Sequence, residues 1–80
     1  MDDTTLLSQI EKLSVEEQEL EESHHGEALT GEQLARLKAV EVQLDQCYDL
    51  LRQRRARRTA GLDPDDAAVR KESVVENYLQ

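Results

Sequence analysis

The sequence predicts an all-α protein, an antiparallel two-helix hairpin with a short C-terminal helical tail, two copies of which would complete a four-helix bundle. Three observations predict it. Apolar residues recur at spacings of three and four along two long stretches. A capping-box sequence stands between those stretches. The 80 residues also hold only three glycines and one proline, so little interrupts a helix.

The first stretch reads Leu6, Ile10, Leu13, Leu20, with Glu17 in the remaining place on the stripe. Glu11, Glu16, Glu19, Glu21 and Glu22 surround it as a solvated face, and Asp2, Asp3 and Thr4 are N-cap candidates that suit the positive end of a helix dipole. A helix over about 3–23 follows. His24, His25 and Gly26 then break the pattern. Thr30 with Gln33 forms the capping box, and Leu29 and Leu34 occupy the two positions of a hydrophobic staple. The second helix, over about 31–60 and roughly 45 Å long, has the stripe Leu34, Leu37, Val40, Leu44, Cys47, Tyr48, Leu51. Five arginines suit its C-terminus, and Gly61 stands where a terminating glycine belongs. Asp63-Pro64-Asp65-Asp66 opens a short helix over about 64–70, with Asp63 as cap and Pro64 in its first position. A last segment, about 73–79, carries Val74, Val75, Tyr78 and Leu79 and begins with a capping-box pattern from Ser73 to Glu76.

Folding the first helix back on the second sets a register in which paired residue numbers sum to about 54. Leu20 then faces Leu34, Ile10 faces Leu44 and Leu6 faces Tyr48, while Arg52 to Arg58 overhang the hairpin. Leu7, Val15 and Leu50 fall off the contact line, and packing two hairpins antiparallel would bury them. The arginine overhang of one chain would then reach the acidic loop end of the other.

Size and composition support a self-associating partner. A single domain of 80 residues is near the limit for an independent core, and this one has only two aromatics, Tyr48 and Tyr78. Its lone cysteine, Cys47, excludes an internal disulfide and fits a reducing, cytoplasmic compartment. The N-terminus is acidic where a secretory signal is basic, and no apolar run reaches the length of a membrane span. A net charge of −8 argues against general nucleic-acid binding. That charge is segregated: residues 1–27 hold nine acids and one base, and residues 52–58 hold five arginines and no acid.

The chemistry-bearing candidates are few. Arg52, Arg54, Arg55, Arg57 and Arg58 suit a phosphate, since the guanidinium fork matches its oxygens, but they spread around the helix and also suit pairing with nearby acids. Glu21-x-x-His24 and Glu22-x-x-His25 have the spacing of carboxylate–histidine pairs in di-iron bundles, and Glu17 and Glu41 lie where further carboxylates would be needed. The pattern is short enough to recur by chance, and a polar helix end explains it as well, so no metal and no cofactor are expected. Cys47 stands more than two turns from the histidines and reads as a small buried hydrophobe. No catalytic constellation is present, and the chain reads as a non-enzyme. Tyr78 and Leu79, with Val74 and Val75, either cap the core or dock on a protein partner.

From Val42 to Arg58 the chain reads Val-Gln-Leu-Asp-Gln-Cys-Tyr-Asp-Leu-Leu-Arg-Gln-Arg-Arg-Ala-Arg-Arg, followed by Gly61-Leu62-Asp63-Pro64-Asp65 and a final Val74-Val75-Glu76-Asn77-Tyr78-Leu79-Gln80. In these segments it resembles a small family of uncharacterised proteins, about eighty residues long, from high-GC Gram-positive bacteria. It departs from that pattern at Lys71-Glu72-Ser73, where a proline-rich link is expected. The resemblance implies a helical bacterial protein and supplies no activity. Within the shared segment Asp45, Gln46, Asp49, Arg52 and Gln53 flank the apolar stripe, as an inter-helix polar network by default or else as a partner-binding face. The functional expectation is a non-catalytic protein-interaction or regulatory module, a homodimer. A phosphate- or nucleotide-binding regulator is the alternative, and a metal-binding bundle ranks below it.

Overall fold

The computed structural model describes residues 1–22 and 28–79, apart from the side chains of Tyr78 and Leu79. It contains three α-helices and a single 3-10 turn, and no strand among the described residues. Helix α1 spans Asp3–Glu22, α2 spans Gly31–Thr59 and α3 spans Glu72–Leu79, with the 3-10 turn at Pro64–Asp66. His24, His25 and Gly26, which the sequence reads as the break after the first helix, lie outside the described residues.

Local chemistry sets each boundary. The Asp2 carboxylate accepts from the Thr5 amide at 2.8 Å, capping α1 and holding that carboxyl below its ordinary range. Thr30 Oγ1 accepts from the Gln33 amide while Gln33 Oε1 accepts from the Thr30 amide, a complete capping box at the start of α2. At its other end Gly61 adopts φ +76°, and the amides of Gly61 and Leu62 donate to the carbonyls of Arg58 and Arg57. This paired closure satisfies carbonyls that the helix leaves open, and a side chain at Gly61 would strain it.

Helix α2 is the spine. Leu6, Ile10 and Leu13 of α1 pack against Val40, Leu44, Cys47, Leu50 and Leu51 of α2, with Leu20 and Ala67 at the margin. The ion pairs along this seam bracket the expected register. Asp3 meets Arg54 and Glu16 meets Arg36, pairs whose numbers fall on either side of a sum of 54. Leu6 is fully buried, whereas Tyr48 is 41% exposed and Leu34 58% exposed. Tyr48 and Leu34, expected to face Leu6 and Leu20, thus stand outside the core that Leu6 belongs to and Leu20 borders. The expected arginine overhang is not free, since Arg54 and Arg58 lie beside the first residues of α1.

The tail returns along α2. Where the sequence predicts a helix over 64–70, only Pro64–Asp66 coil, and Ala67 is already extended at ψ 142°. The physical reason lies in α2, whose Gln53 and Gln46 side chains donate to the carbonyls of Ala68 (3.0 Å) and Arg70 (3.2 Å). A helix would occupy those carbonyls internally; an extended segment frees them. Helix α3 then docks on α2 through Val75, which is 1% exposed. Among the described residues α1 and α3 each pack on α2 and not on each other.

Candidate interaction surface

Three stripes on α2, each at spacings of three, four or seven, divide the work. The first, Val40, Leu44, Cys47, Leu51, faces α1 and continues through Arg54 to Arg58. Arg54 is 3% exposed, an unusual place for a cation. Its Nε donates to Asp3 at 2.6 Å, and its Nη1 donates to Asp65 at 3.0 Å and to the Pro64 carbonyl at 3.1 Å. One guanidinium thus joins the start of α1, the end of α2 and the 3-10 turn. The planar fork allows this, and the Arg54 hydrogen bond holds the Asp3 carboxyl below its ordinary range. Arg58 adds a second contact to Asp3 at 2.8 Å, and Arg57 donates to the Asp63 carbonyl at 2.6 Å and lies 3.4 Å from Asp66.

Of the five arginines singled out in the sequence, then, Arg54, Arg57 and Arg58 are engaged within the chain. Arg52 and Arg55 are exposed, and neither pairs with a carboxylate among the described residues. Tyr78 and Leu79 lie on α3, but their side chains are outside the described residues.

The second stripe, Val42, Gln46, Asp49, Gln53, receives the tail. Asp49 is buried, accepts from Gln53 at 2.8 Å and lies 3.6 Å from Arg70. Beside it, Glu76 of α3 meets Asp45, with Glu72 and Lys38 nearby. The shared hydrogen bond with Asp45 is the main reason the Glu76 carboxyl rises above its ordinary range, with burial adding to it. The Glu76 Oε1 atom is buried without a hydrogen-bond partner.

The third stripe, Leu34, Leu37, Glu41, Tyr48, Arg52, Arg55, is largely open, and only its loop end meets α1. Leu37 is half-buried and the other five are exposed. At the loop end of this face Glu41 meets Glu17 and Glu21 of α1, the carboxylate oxygens lying within 4.8 Å of one another. Burial, and then repulsion from Glu21, Glu41 and Asp45, pushes the Glu17 carboxyl up. Leu7 stands two heptads before Glu21 and is exposed on the same side of α1. The structure thus brings together Glu17, Glu21 and Glu41, all named in the metal reading, while the histidines of that reading lie outside the described residues.

Cys47 is buried in the α1–α2 seam, and desolvation pushes its thiol up, away from the reactive thiolate. The openings in the surface are shallow. One, of Met1, Leu6, Gln9, Gln43, Cys47 and Val69, indents the tail side of the core. No helix among the described residues is long and apolar enough to cross a membrane.

Buried Arg54 was missed from sequence because its stripe was ended at Leu51. The signal was present: Leu51, Arg54 and Arg58 continue the spacing of three and four, which places Arg54 at a core position opposite the acidic start of α1.

Fold and surface together define a small helical protein in which one long helix organises a second helix and a returning tail, with one charged and apolar face left open. The whole-chain comparison agrees with the resemblance in Val42–Arg58. The chain belongs to the DUF2630 family of proteins of unknown function, whose pattern matches residues 2–80. It is 44% identical, over 77 residues, to uncharacterised proteins of Mycobacterium bovis and Mycobacterium tuberculosis, an alignment covering 95% of this chain and 88% of theirs. No solved structure matches it.

Proposed function

We propose that the protein is a cytoplasmic, non-catalytic interaction module whose working surface is the third stripe of α2 with the adjoining edge of α1. The observation that carries this reading is the exposed series Leu34, Glu41, Tyr48, Arg52, Arg55. Tyrosine and arginine, residue types in which interface hot spots are enriched, lie there together, and neither arginine meets a carboxylate among the described residues. The other two stripes are already occupied by the chain itself.

A phosphate-binding regulator acting through the arginines is the weaker reading, because it would have to work with Arg52 and Arg55 alone. A metal bound by Glu17, Glu21 and Glu41 is weaker still, since acid clusters are common without an ion. Titration calorimetry with inorganic phosphate, and with zinc or manganese on untagged protein, tests both.

The main reading is tested by replacing Tyr48 with a photo-activatable phenylalanine analogue in cells producing the protein. Covalent adducts of protein mass are expected at Tyr48 and not at Lys12, which is exposed on another side of α1. Adducts at neither position, or equally at both, would defeat it.

A further inference from the structure

We propose that the occupant of the open α2 face is a second copy of this chain, docked antiparallel about a two-fold axis near Tyr48. This rests on the interaction-module reading and names the partner of that same surface.

Charge order along the face is the first ground. Its loop end is acidic, at Glu17, Glu21 and Glu41, and its other end is basic, at Arg52 and Arg55. Within the described residues neither group is neutralised: no cation bridges the three glutamates, and no carboxylate meets the two arginines. A face with opposite charges at its ends complements itself when turned end for end, as an isologous interface requires. Glu41 and Arg55 are fourteen residues apart, about 21 Å along the helix, and the midpoint between them falls at Tyr48. A two-fold axis there brings both arginines of each copy to the glutamates of the other, and sets Tyr48 against the partner's Tyr48.

The second ground is the electrostatic state of the acid end. Three carboxylates within 4.8 Å repel one another, and Glu17 is already pushed toward its protonated form. An arriving guanidinium relieves that repulsion. The arginine end is prepared to supply it, because Arg54, Arg57 and Arg58 are held internally while Arg52 and Arg55 point outward.

The third ground is area. The chain exposes 5712 Å², against about 4,900 Å² for a compact monomer of 9.2 kDa. The excess is close to the area of about 800 Å² that each partner contributes to a standard interface. The radius of gyration, 14.9 Å, likewise exceeds the value of about 11.6 Å for a compact 80-residue domain.

Absolute mass by light scattering during size exclusion is the test, on the full chain and on two charge-reversed variants, R52E/R55E and E21K/E41K. The native chain is expected at about 18 kDa, twice 9.2 kDa. Each variant alone places like charges at both ends of the interface and should weaken the dimer about 100-fold. An equimolar mixture of the two should recover a dimer, because acid then meets base at both ends. Recovery on mixing also shows that both variants fold. For the native chain, raising salt from low to about 0.5 M should weaken association at least about tenfold. A native chain that stays at 9.2 kDa at about 100 µM overturns the proposal, as does a dimer that both variants retain, or a mixture that stays monomeric. Should Tyr48 cross-link to a different protein while the pure chain is monomeric, the module reading survives and the dimer does not.

Discussion

The two seams of α2 are built from different materials. Against α1 it presents aliphatic side chains, and the seam is closed at its ends by Arg54 on Asp3 and Arg36 on Glu16. Against the tail it presents Gln46, Asp49 and Gln53, which bind backbone carbonyls and a guanidinium, with Val75 as the one fully buried apolar side chain. The first seam draws on area removed from water, which is large and indifferent to geometry. The second draws on hydrogen bonds whose net contribution is about 1 kcal/mol each. The hairpin is therefore the stable unit, and the tail is a clasp upon it.

The largest expected effect follows from that difference. Leu6→Ala removes a fully buried side chain from the aliphatic seam and should cost about 3 kcal/mol, felt as a drop in the global denaturation midpoint. Val75→Ala in the tail should cost about 1–2 kcal/mol and raise amide exchange in α3 while leaving α1 protected. Equal effects on both helices would mean that the two seams unfold as one.

Arg54 joins the seams, and its loss ranks next. Arg54→Lys keeps the charge but cannot address Asp3, Asp65 and the Pro64 carbonyl together, so it should rescue little of the stability lost in Arg54→Ala. Urea denaturation of the three proteins checks this, and a lysine variant as stable as the native chain would show that charge alone suffices. The acid side of the same contact has a definite pH sign. Asp3 is held below its ordinary value, so its contribution is present above the unfolded value of about 3.9 and is lost as pH falls through the lower folded one.

How much of this was legible in the sequence divides along the same line. The aliphatic seam shows itself as periodicity, so the two long helices, the capping box and the terminating Gly61 could all be read from it. The facing partner of each leucine could not, because a stripe of leucines fits several offsets almost equally, and Tyr48 and Leu34 stand exposed. The tail seam leaves no periodic trace on its own strand: Ala67 to Arg70 are placed by glutamines on another element, and local propensity alone suggested a helix there. The polar stripe itself was visible as Gln46, Asp49 and Gln53 beside the apolar one, and serves as an intramolecular network. On the open face, the segregation of acids from arginines was plain, but which arginines remain free depended on folds of the chain that bring Asp3, Asp63 and Asp66 to the other three.

The smallest effect is the most specific to the tail seam and opposite in sign to that of Asp3. Glu76 is raised above its ordinary value, first by the hydrogen bond it shares with Asp45 and then by burial and the Asp45 and Glu72 charges, with Lys38 opposing. A raised folded value means the contribution is complete below the unfolded value of about 4.3 and is lost as pH rises through the folded one. Docking of α3 should accordingly loosen toward neutral pH, while the Arg54 contact is unaffected there. Glu76→Gln offers Asp45 a donor at every pH and ends the repulsion. Protection factors for α3 amides, measured at about pH 4 and pH 7.5, should fall with rising pH in the native chain and stay level in the Gln variant. Identical profiles for the two proteins would mean that Glu76 and Asp45 share no proton, and that Val75 alone holds α3 in place.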